Sequence, residues 1–176
     1  MKQRSLFSDG IYVEKTAWLS SCERYRHTLG RHWDREKGYV LFVGLNPSTA
    51  DADKDDPTIR RCLRFARDWG YGGIEMCNLF DWRSTDPKKL MGREFTVSEY
   101  NDPCLRVRVA EARLVIAAWG KVPWADARIE QVFRTVFSEE KRWECLGLCK
   151  VAEGQMQTYP RHPLYVPAAT RPVVFW

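Results

Sequence analysis

The chain is poor in the features that mark membrane, secreted and disulfide-bonded proteins. No stretch of the sequence approaches about 18 consecutive apolar residues, the length of a membrane span, so no membrane partner is expected. The first residues lack the apolar core of a secretory signal, which makes the cytoplasm the expected compartment. The six cysteines include no Cys-x-x-Cys pair. We therefore expect reduced, mostly buried thiols, with a metal role considered only for Cys145 and Cys149.

Common catalytic and nucleotide-binding motifs are also missing. The sequence contains no GxxxxGK[ST] phosphate loop, no GxGxxG turn, no HExxH zinc motif and no GxSxG nucleophile elbow. Its composition is ordinary for a globular domain, with 44% hydrophobic and 29% charged residues. It has no internal repeat and no linker, so residues 1–176 are expected to form a single domain. The net charge of +5 permits a polyanionic partner without requiring one.

Alternating strand and helix signals predict the fold class. Strands are expected at 39–45, 73–80, 114–118 and 143–148. Helices are expected from Asp56-Pro57 to Gly70, after Asp86-Pro87 and after Asp102-Pro103, because Asp is a favoured N-cap and Pro fits the first helical position. A further helix is expected at 123–138 from its apolar face. These β-α-β units predict an α/β fold of three layers, α/β/α, with a mainly parallel central sheet. Residues 1–35 fit this scheme less well and are expected to form an N-terminal arm or extension.

Polar residues follow three of the predicted strands. Asn46, Asn78 and Trp119-Gly120 stand at or just beyond the strand ends, where open α/β sheets form their crevices. Asn46 and Asn78 could instead have a purely structural role, because Asn is a common turn residue. His162, in a proline-rich segment, is either a site residue or a packed histidine.

An acidic loop follows the Asn46 turn. Asp56 is the expected helix N-cap, which leaves Asp51, Asp53 and Asp55. These carboxylates form a solvated loop, or Asp51 activates water, or two of them hold Mg²⁺. The spacing does not match the EF-hand pattern.

Five strings carry a family resemblance: LNPSTADA, DPTIRR, CNLFDWRSTDP, AWG and PRHPLY. They resemble those of an uncharacterised family of small bacterial and phage proteins, over about Cys22 to Pro167. The turns GLNPS and HPLY also resemble the two active-site motifs of the uracil-DNA glycosylase superfamily, and Asn78 matches the Asn after its next strand. Some members of that superfamily bind an iron–sulfur cluster through four cysteines, and this chain has no matching set of cysteines.

This resemblance implies a uracil-DNA-glycosylase-like fold and a DNA glycosylase that acts on a flipped base without a cofactor. The resemblance to phage proteins implies that the base is a modified pyrimidine. The enzyme would then act in anti-phage defence or in DNA repair. Asn46, alone or with Asp51, would orient water, while His162 stabilises the departing base and Asn78 pairs with its edge. Stacking candidates are Phe80, Trp82 and Tyr165. DNA-backbone candidates are Ser48, Arg60, Arg61, Arg64 and Arg161.

Two other functions remain open at this point. One is a metal-dependent hydrolase or transferase acting on free nucleotides through the Asp51 to Asp55 loop. The other is a non-catalytic nucleic-acid-binding module. The preferred hypothesis is a monomeric glycosylase whose partner is DNA.

Overall fold

A computed structural model describes residues 4–8, 11–136, 141–149 and 158–175. Its strands are β1 (Arg4–Ser8), β2 (Ile11–Leu19), β3 (Arg26–His32), β4 (Val40–Gly44), β5 (Gly73–Asn78), β6 (Leu114–Ala117), β7 (Trp143–Cys145) and β8 (Val173–Val174). Its α-helices are α1 (Pro57–Asp68), α2 (Asn101–Glu111) and α3 (Asp126–Val136). The strands form one sheet in the spatial order β1-β2-β3-β5-β4-β6-β7-β8. The protein is therefore a mixed α/β structure.

Parallel pairing is confined to the centre of the sheet. Strands β5, β4, β6 and β7 pair in parallel, whereas β1, β2 and β3 on one side and β8 on the other pair antiparallel. Among the described strands, three pairings are thus parallel and four are antiparallel. The prediction of a mainly parallel sheet is not confirmed for the sheet as a whole.

The antiparallel extension was missed because β3 has no apolar alternation. Its sequence is RHTLGRH, yet all seven residues are buried. Two of its polar side chains have carboxylate partners there: Arg31 lies 2.8 Å from Asp55, and His32 lies 2.9 Å from Glu75. Because buried polar groups are tolerated when they are paired or hydrogen-bonded, a polar sequence can occupy an interior strand. The N-terminal segment therefore continues the central sheet through β3 and β5.

Helices cover both faces of the central strands. Val40 and Phe42 of β4 pack in a core with α1, through Ile59 and Phe65. The alternate residues Leu41 and Val43 pack in a second core with α2 and α3, through residues such as Leu105, Ile129 and Val132. Since successive side chains of a strand point to opposite faces, β4 separates two hydrophobic layers. The central part of the fold has three layers, as the alternation of elements predicted.

The Asp-Pro pairs have three different outcomes. Asp56 caps α1, accepting a hydrogen bond from the Ile59 amide with Pro57 in the first turn, as predicted. Asp86-Pro87 opens only a 3-10 helix, Pro87–Leu90. The third prediction is wrong, because Tyr100 is the cap residue of α2 and Asp102 lies inside its first turn. The Asp102 carboxylate is instead ion-paired with Arg128 of α3.

Element bounds otherwise shift by a few residues. The predicted strands 39–45, 73–80 and 143–148 are shorter at their C-terminal ends, and the helix at 123–138 begins as the 3-10 helix Pro123–Ala125. Residues 137–138 lie outside the described part of the chain. Within the described residues, no helix combines the length and apolarity needed to cross a bilayer.

Candidate functional site

A cavity of about 850 Å³ lies at the carboxyl ends of the central parallel strands. Strand β4 lies between β5 and β6 in the sheet. The chain runs from β4 through α1 to β5 on one side, and then through α2 to β6 on the other side, with α1 and α2 on opposite faces of the sheet. The strand order therefore reverses at β4. The register aligns Gly44 with Asn78 and Val43 with Ala117, which brings the three strand ends to one level. The predicted site residues in its wall are Asn46, Ser48, Asn78, Arg161, His162 and Tyr165. The volume is within the range of about 300–1,000 Å³ found for small-molecule pockets.

Asn78 is a buried residue whose amide nitrogen has no hydrogen-bond partner in the described part of the chain. The residue is only 3% exposed, and its Nδ2 makes no hydrogen bond among the described residues. A Cβ atom on Gly44 would lie 2.8 Å from Asn78 Oδ1, so a glycine on β4 makes room for this side chain. Buried polar groups in folded proteins are nearly always hydrogen-bonded. Because the residue lines the cavity, this buried and unpaired nitrogen makes Asn78 a candidate for contact with a ligand.

Asn46 has its amide nitrogen fixed and its oxygen free. Nδ2 donates to the carbonyl oxygens of Ser84, at 2.8 Å, and Pro47, at 3.0 Å. The Ser84 amide in turn donates to the Pro47 carbonyl, so the turn is clamped to the loop after β5. Two carbonyl acceptors fix the orientation of the amide, which leaves Oδ1 as an acceptor without a partner among the described residues.

His162 is the cap residue of the 3-10 helix Pro163–Tyr165. Its Nδ1 accepts a hydrogen bond from the Leu164 amide at 3.3 Å, which places the ring proton on Nε2. Burial lowers the pKa of the imidazole, and the nearby charge of Asp56 only partly opposes this. Gly120 packs beside His162: a Cβ atom on Gly120 would lie 3.6 Å from His162 Cβ, an ordinary contact, but its φ of +81° favours glycine. His162 is thus a neutral ring that offers Nε2–H as a donor.

The three aromatic stacking candidates separate. Tyr165 is 72% exposed, lines the cavity and lies 5.6 Å from the His162 ring, centroid to centroid. Phe80 is 8% exposed and stacks on Trp124 within the core. Trp82 packs edge-on against Tyr25, away from the cavity wall. The structure brings only Tyr165 to the site.

Asp51 is committed to its own loop. Its Oδ1 accepts hydrogen bonds from the amides of Asp53, at 2.9 Å, and Lys54, at 2.8 Å, and the residue does not line the cavity. Burial opposes ionisation, yet these backbone hydrogen bonds together with the charges of Arg83 and Arg31 outweigh it and hold the pKa of Asp51 below its usual value. Asp55 is paired with the buried Arg31. In the described part of the chain, no group of three or more His, Cys, Asp or Glu side chains is placed to hold a metal ion.

The predicted DNA-contacting arginines also divide. Arg61 donates to the Val166 carbonyl, and its guanidinium lies over the Phe65 ring, so it joins α1 to the C-terminal segment. Arg60 donates to the Asp55 carbonyl, and Arg64 is exposed on α1. Arg161 lines the cavity and donates to the Tyr165 carbonyl. Arg161 is the one of the four that the structure places at the cavity.

Sequence reasoning missed three charged residues of the cavity wall, which are Arg26, Asp56 and Lys121. Arg26, at the start of β3, is 2% exposed and donates to the Ala50 carbonyl. Burial lowers its pKa to about 10, and the charge of Asp56 works in the opposite direction. Asp56 itself was interpreted only as a helix cap, although it also lines the cavity. Its position at the end of the loop after the Asn46 turn was the available signal; nothing in RHTLGRH marked Arg26.

The fold and cavity define a mixed α/β protein with a cavity, lined by apolar and polar residues, at the carboxyl edge of its parallel strands. The chain belongs to the DUF1643 family, described as a protein of unknown function, whose match covers residues 26–164. The match begins at β3 and includes Asn46, Asn78 and His162. No curated protein and no solved structure matches the chain.

Proposed function

We propose that the protein is a DNA glycosylase that hydrolyses the N-glycosidic bond of an extruded, modified pyrimidine and leaves an abasic site. On this proposal it acts in the cytoplasm as a monomer, without a cofactor, in anti-phage defence; excision of a deaminated base in repair would use the same chemistry. A target base inside a duplex is out of reach, so it must leave the stack at a cost of a few kcal/mol.

The observation that carries the proposal is that Asn78, whose amide nitrogen has no partner among the described residues, lines the same cavity as His162. Leaving a buried polar group unpaired costs roughly 1–3 kcal/mol, and a ligand that pairs with it removes this cost. The edge of a pyrimidine offers donors and acceptors in one plane, which a carboxamide can match. A planar heterocycle is therefore a better fit than an apolar ligand.

The other groups match the charges that develop during base release. The departing base becomes negative, and the Nε2–H of a neutral His162 can donate to it. The free Oδ1 of Asn46 can accept a hydrogen bond from a water molecule directed at the sugar carbon. The exposed Tyr165 ring offers a stacking surface beside His162.

The charge of the cavity wall supports a nucleic-acid substrate. The described wall contains three cationic side chains, Arg26, Lys121 and Arg161, against one carboxylate, Asp56. An excess of positive charge favours the phosphates that flank an extruded nucleotide. The central three-layer arrangement with parallel strands also supports the glycosylase-like fold that the sequence motifs imply.

The test is base release from defined DNA. The full-length protein is incubated in EDTA with unmodified DNA, uracil-containing DNA, and DNA from a phage with modified pyrimidines, and an abasic-site endonuclease then reveals strand breaks. We expect breaks in the modified DNA. In a parallel incubation with free nucleotides and with Mg²⁺ in place of EDTA, turnover that requires the metal would favour a metal-dependent nucleotide hydrolase. Binding without base release from any DNA would favour a non-catalytic module, and either outcome would refute the proposal.

Two variants connect the activity to the cavity. His162→Asn keeps an acceptor for the Leu164 amide but removes the Nε2–H donor. We expect roughly 100-fold slower single-turnover release, as for the loss of one donor to a developing anion. Asn46→Ala should slow release similarly, and it also loses two hydrogen bonds, so its rate is measured well below its own Tm. Wild-type rates in both variants would place the chemistry elsewhere.

A further inference from the structure

We propose that Asp56 is the general base of this site, a role that rests on the proposed glycosylase function. The residue caps α1, and one carboxylate oxygen is used for this: Oδ1 accepts the Ile59 amide at 2.9 Å. The other oxygen, Oδ2, accepts no hydrogen bond among the described residues, and the side chain lines the cavity. One carboxylate thus anchors itself to a rigid helix while keeping an acceptor available.

Asp56 is the only acidic residue in the described wall of the cavity. The other charged or titratable side chains of that wall are Arg26, Lys121, Cys149, Arg161, His162 and Tyr165. The four cationic or imidazole groups among these suit phosphate or base contacts. Asp56 carries the negative charge in this wall, and it is therefore the group suited to stabilise the positive charge that develops on the sugar.

The remaining polar groups cannot take the proton of the attacking water. The Asn46 carboxamide is not basic, and its nitrogen is held by two carbonyls. The His162 Nδ1 lone pair accepts the Leu164 amide, and Nε2 already carries the ring proton. The Asp51 oxygen accepts two loop amides, and Asp51 is absent from the cavity wall. Asp56 Oδ2 is the acceptor that remains.

The reaction balances with this assignment. The water oxygen forms a bond to the sugar C1′ while the C1′–N bond breaks, and the electron pair of that bond leaves with the base. Before it accepts a proton, the negative charge of Asp56 stabilises the positive charge that grows on the sugar. One proton of the attacking water passes to Asp56 Oδ2 while the other stays on the new hydroxyl group, and the proton on Asp56 then passes to the base anion, which regenerates the carboxylate.

The test compares Asp56→Asn with Asp86→Asn. Both residues precede a proline, and both cap a helix through a side-chain oxygen, but Asp86 does not line the cavity. Because Asn is also a good N-cap, each variant should keep its Tm within a few degrees of the wild type. Asp56→Ser, which keeps the cap with a different side chain, serves as a second variant should Asn disturb folding.

We expect single-turnover base release to slow by roughly 100-fold or more in Asp56→Asn and Asp56→Ser, and not in Asp86→Asn. DNA binding, measured by fluorescence anisotropy, should be unchanged or tighter because a negative charge is removed near phosphates. Base release at the wild-type rate in the stable Asp56 variants would overturn this assignment and leave the glycosylase proposal standing. Absence of base release by the wild type on every DNA would overturn both.

Discussion

Replacing Asn78 by Ala separates a ligand-binding amide from a structural one. The chain offers a matched residue in Asn101, which is also buried, at 0% exposure, but donates through Nδ2 to the carbonyls of Asn78 and Leu79, at 3.2 and 3.0 Å. Asn78 Nδ2 donates to nothing among the described residues. The two substitutions remove the same atoms from the same region of the protein.

The expected costs in stability differ. Asn101→Ala leaves two buried carbonyls short of a donor, which costs about 2–4 kcal/mol if each loses about 1–2 kcal/mol. For a chain of this size that is a fall in Tm of roughly 5–15 °C. Asn78→Ala removes an amide that is already unpaired, so the small gain from removing its desolvation cost offsets the small void. We expect its Tm to stay within about 4 °C of the wild type.

The expected costs in function run the other way. Pairing with a base edge is worth about 1–3 kcal/mol, so Asn78→Ala should lower kcat/KM for base release by roughly 5- to 150-fold. The assays are thermal unfolding by circular dichroism and single-turnover strand cleavage for each variant. A fall in Tm as large as that of Asn101→Ala would show that the Asn78 side chain is structural, and its proposed role would be refuted.

Two further predictions follow from the arginines and from His162. Arg64→Ala should lower the slope of log K against log salt for DNA binding by roughly one and leave Tm unchanged. Arg61→Ala should chiefly lower Tm, because Arg61 donates a hydrogen bond to the Val166 carbonyl. The same change in slope and in Tm for both variants would contradict this division. Burial lowers the pKa of His162, so the unfolded chain binds a proton at this residue more readily than the folded protein does. His162 therefore has no effect on the free energy of unfolding above pH about 6.5, and it lowers that free energy as the pH falls below this value. His162→Asn should therefore lose less Tm than the wild type between pH 7 and pH 5, and an equal loss would show that His162 is not buried as described.

Local sequence patterns predicted the parts of the fold that depend on local physics. The apolar run before Gly44 and the Asp56-Pro57 pair specify a buried strand and a capped helix without help from distant residues. They also ordered the strand ends, so Asn46, Asn78 and Trp119-Gly120 were expected near one another, and they line one cavity. His162, which only the motif resemblance brought to the site, lines the same cavity. The β3 strand could not be found in this way, because its burial depends on ion pairs with Asp55 and Glu75.

The same limit explains which site predictions the structure moved. Asp51 and Arg61 had suitable chemistry and suitable positions in the sequence, but each is used by partners that only the fold provides: loop amides for Asp51 and the Val166 carbonyl for Arg61. Phe80 was expected to face the base, yet Trp124 of the segment before α3 covers it. A residue type indicates what a side chain can do, whereas its partners determine whether that capacity is still available.

Asp56 shows how one residue can serve both purposes. Its sequence context identified a helix cap, and the structure confirms the cap, but a carboxylate has two oxygens and the cap uses one. The hydrogen bond of Oδ1 to the start of the helix also limits the movement of the second oxygen of this cavity-lining residue. Functional groups are placed most precisely when supporting hydrogen bonds hold them on a rigid element. Fold stability and the proposed chemistry then depend on the same side chain. For this reason only substitutions that retain a cap, such as Asn and Ser, can measure the contribution of the second oxygen by itself.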